Sequence, residues 1–178
     1  MTNAGRRDVD ARIEDAVKRL QADGETLWWS LVNDLGFSFE EQHLLLSRLW
    51  DNLPGNQRAI AIAAAWTLSD PTEECLRPDE WLKMFRAVGY IEDGYRDRPP
   101  PAQITLWRGG VRKTGMSWTA DRSVAVRFQH RFAPHKPPGK LWTVTVGANR
   151  LLAHFDVLRP GEDEYVVDPA GLAPIEIP

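Results

Sequence analysis

The spacing of apolar residues changes character once along this chain, at Arg98-Pro99-Pro100-Pro101, and no other feature of the sequence limits its fold so strongly. Before that segment the apolar residues recur at helical intervals. After it they alternate with a period of two, as half-buried strands do. The 178 residues suffice for one full domain or two small ones. The expected class is α+β, with a helical bundle over residues 1–98 packed on a small β-rich core with a mixed sheet over residues 99–178.

In the first half, Val9, Ile13, Ala16, Val17 and Leu20 form one stripe, with Asp8 as the expected N-cap and Gly24 after the last turn. Leu27, Trp28, Leu31, Val32 and Leu35 repeat the pattern up to Gly36. Ser38 and Glu41 then have capping-box spacing ahead of Leu45, Leu49 and Trp50. The Ala-rich stretch from Gln57 to Leu68 is apolar around its whole circumference, which predicts a central helix stopped by Asp70-Pro71. A fifth helix opens at Pro78, carries Trp81, Leu82, Phe85 and Val88 on one side, and ends at Gly89.

In the second half, Gln103 to Arg108, Leu141 to Val146 and Glu162 to Asp168 alternate, and short strand-like runs recur at Leu151 to Phe155 and Ile175 to Ile177. One helix interrupts them, capped by Asp121, with Val124, Ala125, Phe128 and Phe132 on its apolar side. Pro134 to Gly139 reads as an exposed loop.

Charge divides along the same line. Residues 1–98 hold 12 basic and 18 acidic side chains, residues 99–178 hold 10 and 7, and between Arg108 and Arg150 nine basic residues face only Asp121. Anionic ligands, phosphate above all, are favoured there. No apolar run reaches the roughly 18 to 20 residues a bilayer demands, and the polar N-terminus has no signal-peptide pattern, so neither membrane span nor leader is expected. A lone cysteine, Cys75, suits a reducing compartment, and a cytoplasmic location is expected.

The common phosphate-loop, zinc-protease and serine-hydrolase motifs are missing, and the four histidines lack metal-ligand spacing, so no metal is expected. Three segments stand out in their order: Leu106-Trp107-Arg108-Gly109 at the end of a strand, Gly115-Met116-Ser117-Trp118-Thr119 leading into a helix, and Glu162-Asp163-Glu164 opening a later strand. At a strand's period, Glu162 and Glu164 face the same way and line one cleft.

This arrangement resembles the arginine, serine and glutamate triad of the mono-ADP-ribosyltransferases, which include cholera-toxin-like enzymes and the clostridial Rho-modifying exoenzymes. The resemblance spans about residues 102–170. It implies a split, NAD-clamping sheet, with Trp107-Arg108-Gly109, Ser117-Trp118-Thr119 and Glu162-Asp163-Glu164 at the matching positions. Only eight residues separate Arg108 from Ser117, fewer than in the toxins, and Trp118 replaces a small residue.

The activity implied is that of a toxin-like glycosyltransferase that consumes NAD as substrate, passing ADP-ribose to a macromolecular acceptor, with NAD hydrolysis as a side reaction. Departure of nicotinamide leaves positive charge on the ribose, and a fixed carboxylate stabilises that charge more in the transition state than in the ground state. Glu164 is expected to take this role through the ribose 2′-hydroxyl. Glu162 would orient or deprotonate the acceptor, which by resemblance is a protein arginine. Arg108 offers a planar fork for pyrophosphate or ribose oxygens, and Ser117 a hydroxyl for Glu164 or the ribose. Trp107 or Trp118 would stack on a ring of NAD, with Gly109 and Thr119 completing the cofactor contacts. The competing reading is a non-catalytic module that grips nucleic acid or an acidic protein through the basic region 108–150.

Overall fold

Helix α1 (Asn3–Ala22) buries Val9, Ile13, Ala16 and Leu20, the stripe that its sequence spacing marks. It begins earlier than expected, so Asp8 lies inside the helix, where its carboxylate pairs with Arg12 one turn on at 3.0 Å. This computed structural model describes residues 3–69, 72–132 and 135–178. The expected helix stop at Asp70-Pro71 and residue Pro134 of the expected loop lie outside the described residues.

The chain divides into two compact units, Met1–Met84 and Phe85–Pro178. In the first, α2 (Trp28–Asp34) starts without a side-chain cap of its own. Its first N–H is satisfied instead by Gln57 Oε1 at 2.9 Å, a buried bond from α4 (Gly55–Leu68). The Ser38–Glu41 capping box forms on a 3₁₀ turn, Phe39–Glu41, that runs into α3 (Gln42–Leu49). Buried alanines on α4 allow close helix approach, and Trp66 meets Trp81 edge-on with ring centroids 5.1 Å apart. A short helix not expected from the sequence, α5 (Thr72–Cys75), follows, and then α6 (Pro78–Val88) opens at its proline. Among the described residues no helix is long and apolar enough to cross a membrane.

The second unit begins within α6, ahead of the Pro-rich segment, because the two-residue strand β1 (Ile91–Glu92) pairs in parallel with β5 (Leu151–Phe155) and draws the intervening chain onto the sheet. The remaining strands are β2 (Gln103–Gly110), β3 (Ser117–Thr119), β4 (Lys140–Gly147), β6 (Glu164–Val167) and β7 (Ile175–Ile177). They form one mixed sheet in the order β1-β5-β6-β3-β2-β4-β7, antiparallel except at β1. Leu106, Trp118, Trp142, Val146, Leu151, Tyr165 and Val167 make the core on one of its faces.

Helix α7 (Arg122–Gln129) is capped as expected, with Asp121 Oδ1 accepting the Ser123 N–H at 2.7 Å. Contact with Ser123 holds the Asp121 carboxyl below the usual carboxylate range. Phe132 falls beyond the helix and is exposed, because the helix ends at Gln129. The helix backbone runs tight against Gly109 of β2, where a Cβ would lie 1.8 Å from the Ala125 carbonyl oxygen.

Asp168, just past β6, receives Arg86 Nη2 of α6 at 2.5 Å and the Ala170 N–H at 3.0 Å. Burial alone would raise its pKa, but these donors outweigh it and hold the carboxyl below its ordinary value. Stability from this group is therefore present above the ordinary carboxylate pKa and is lost as pH falls through the lowered one. Urea denaturation followed from about pH 6 to about pH 3 is expected to show a steep loss in the wild type and a shallower one in Asp168→Asn.

Candidate functional site

The three segments singled out by sequence reach three neighbouring strands. β2 ends in Trp107-Arg108-Gly109, β3 is Ser117-Trp118-Thr119, and β6 starts at Glu164. Strands β3 and β6 pair antiparallel with Thr119 opposite Glu164 and Ser117 opposite Val166. Cross-strand partners share a face, so Ser117, Thr119 and Glu164 leave the sheet together, and Trp107, opposite Thr119, joins them.

Glu162 is not part of that row. The expected strand from Glu162 begins two residues late, because Asp163 adopts a left-handed backbone (φ 45°) that breaks the alternation, and Glu162 sits in the preceding turn. The two acids meet all the same, on a guanidinium the sequence did not single out. Arg159 Nη1 lies 3.3 Å from Glu162 Oε2, and its Nε lies 3.5 Å from Glu164 Oε2. The Glu164 side chain is 5% exposed and that of Arg159 19%. The only sequence signal for Arg159 was its place three residues before Glu162, a spacing that in most proteins marks a solvated pair.

The turn is fastened to β3 at several points. Thr119 Oγ1 donates to the Glu162 carbonyl at 2.6 Å and accepts the Asp121 N–H at 3.0 Å, while the Ala120 N–H donates to the Asp163 carbonyl at 3.1 Å. On the far side of the loop, the Asp93 carboxylate accepts the N–H groups of Asp156, Val157 and Leu158 at 3.1–3.3 Å, anchoring the segment that leads to Arg159.

Arg108, one residue after Trp107, leaves β2 from the opposite face, in the row of Ile104 and Leu106. The expectation that it would flank the acids from their own face is corrected accordingly. Its Nη1 donates to the Ser117 carbonyl and its Nε to the Arg112 carbonyl at 3.3 Å, so it holds the start of β3. Trp118 is buried in the sheet core with its indole N–H bonded to the Gly115 carbonyl at 2.9 Å, whereas Trp107 is half-buried. Gly109 has a packing reason to lack a side chain, the approach of α7.

Behind β6, burial together with the charges of Asp163, Glu92 and Asp156 pushes the Tyr165 hydroxyl up to about 12. A separate cleft of about 510 Å³ lies along β4 and the segment before β7, lined by Thr143, Thr145, Asn149, Arg150, Leu172 and Ile175 among others. None of the residues matched to the arginine, serine and glutamate triad lines it, but Arg150 of the basic region does. No family model matches the chain, and no curated protein and no solved structure matches it significantly.

Proposed function

We propose that the protein is an NAD-dependent mono-ADP-ribosyltransferase that modifies a macromolecular acceptor, with protein arginine as the favoured acceptor and NAD hydrolysis as a side reaction. The observation that carries this reading is the convergence of Ser117, Thr119 and Glu164 on one sheet face, in register, with Glu162 and Glu164 gathered on one guanidinium. A buried carboxylate beside a serine and a threonine, with a second acid nearby, suits a polyhydroxylated sugar that acquires positive charge.

Bound NAD supplies the ADP-ribosyl group, with nicotinamide as its leaving group. In this reading Glu164 accepts a hydrogen bond from the ribose 2′-hydroxyl and offsets the charge that develops on the ring. Ser117 steadies Glu164 or the ribose, while Arg108 acts from the opposite face by securing the start of β3. Trp107, half-buried on the face of Glu164, offers a ring for NAD to stack on, and Thr119 fixes the turn that leads into β6. As the ribose–nicotinamide bond breaks and the ribose–acceptor bond forms, Glu162 takes the acceptor's proton. Arg159 stands against Glu164, so the sugar gains the carboxylate when this long side chain turns aside.

The test is incubation of the protein with labelled NAD and a cell lysate, following nicotinamide release and transfer of label. Release and transfer together are the expected result. No release, together with salt-sensitive nucleic-acid binding that NAD leaves unchanged, would overturn the reading in favour of a binding module. That module has the weaker support, since Arg122, Arg127 and Lys140 of the basic stretch bond to Pro178, Gly161 and Glu176 of the chain itself.

A further inference from the structure

We propose that His154 is a positioning residue for Glu164, gripping the residues on either side of it from the opposite face of the sheet. The inference rests on the role proposed for Glu164. His154 of β5 is the register partner of Tyr165, so its ring leaves the sheet on the face away from Glu164. There it stacks on the Tyr165 ring, with centroids 4.2 Å apart and planes 18° from parallel. Its Nε2 lies 2.7 Å from Asp163 Oδ1. An ionised carboxylate only accepts, so Nε2 carries the proton and donates. Glu92 Oε1 of β1 stands 3.6 Å from the other ring nitrogen and is held in turn by Arg98 at 3.0 Å.

One imidazole therefore fixes both chain neighbours of Glu164, Asp163 by a hydrogen bond and Tyr165 by stacking. The Asp163 contact matters most. Its left-handed backbone is one that aspartate tolerates better than most side chains but that costs more than an extended one, and the bonds around the turn hold it there. That conformation takes Glu162 out of the strand row and brings its carboxylate to Arg159 beside Glu164. Without the His154 donor, the turn has a cheaper extended alternative in which Glu162 moves away and Glu164 loses its fixed start. His154 itself makes its contacts behind the acids, so it acts through Asp163 and Tyr165.

Two substitutions separate grip from bulk. His154→Phe keeps a ring to stack on Tyr165 and removes the donor, whereas His154→Gln keeps an N–H donor. In nicotinamide release, His154→Phe is expected to lower kcat about 10- to 100-fold at an unchanged KM, the cost of misplacing a group that is still present. His154→Gln is expected to restore most of that loss. The amide NMR signals of Ala120, Glu162 and Glu164 should shift in His154→Phe and return in His154→Gln.

Wild-type kcat in His154→Phe would overturn the proposal, as would a loss that His154→Gln does not repair. If His154→Phe does not fold, Asp163→Ala on the partly exposed turn carries the same expectation, and full activity there overturns it. A wild-type protein that releases no nicotinamide refutes the function instead. The amide signals then decide the grip alone, which unmoved Ala120 and Glu164 signals in His154→Phe would disprove.

Discussion

Replacing Glu164 with glutamine is expected to slow nicotinamide release by about 100- to 1,000-fold at saturating NAD, the usual cost of removing one group aimed at charge that develops in the transition state. Glutamine is the informative choice. It keeps the volume of a residue that is almost fully buried and leaves an oxygen for the Arg159 guanidinium, so packing is conserved while the negative charge is lost. Alanine would instead open a cavity beside Arg159, take away one of its acid partners and mix a folding defect into the rate. The check is a kcat measurement beside a melting curve. A variant that melts like the wild type and releases nicotinamide at an undiminished rate removes Glu164 from the chemistry.

Gly109→Ala is expected to be the most damaging single methyl in the second unit. The added Cβ would stand 1.8 Å from the Ala125 carbonyl oxygen and 2.6 Å from the Gln129 nitrogen, both backbone atoms of α7 that no rotamer change can move aside. The helix must shift as a body or leave the strand, a loss of about 3 kcal/mol, at the upper end of ordinary overpacking costs. Urea denaturation reads it directly. Gly24→Ala is the matched control: a Cβ there meets nothing within 4 Å, so stability should hold or rise slightly. Equal midpoints for the two variants would mean that α7 does not need its close seat on β2.

Local signals in the sequence located most elements. Pro78 and Gly89 bracket α6, Asp121 caps α7, and β5 and β7 have the bounds of the short strand-like runs in the sequence. What escaped detection depends on contacts distant in sequence or on backbone dihedrals. β1 is two residues long and exists through its pairing with β5, some sixty residues on, which periodicity does not see. The alternation of Glu162 to Asp168 suggests a longer strand, whereas Asp163, a residue that strands disfavour, takes a left-handed turn to which His154 and Ala120 bond. Nothing in the sequence singles out Arg159, and His154 is one of four histidines without metal-ligand spacing, since burial against Glu164 and stacking on Tyr165 are tertiary facts. For the site, the Ser-x-Thr and Glu strands were legible as motifs, but their adjacency and register came only with the sheet order.

The brevity of the two outermost strands has a bearing on how the protein behaves when concentrated. The margins are a two-residue strand and a three-residue strand entered directly from Pro174, yet β7 pairs with only Leu141, Trp142 and Thr143 of the eight-residue β4, so residues 144–147 have no strand partner on that side among the described residues. That stretch of β4 is where a passing copy would pair, and the interior strands, rich in valine, leucine and tryptophan, would be adhesive if laid bare.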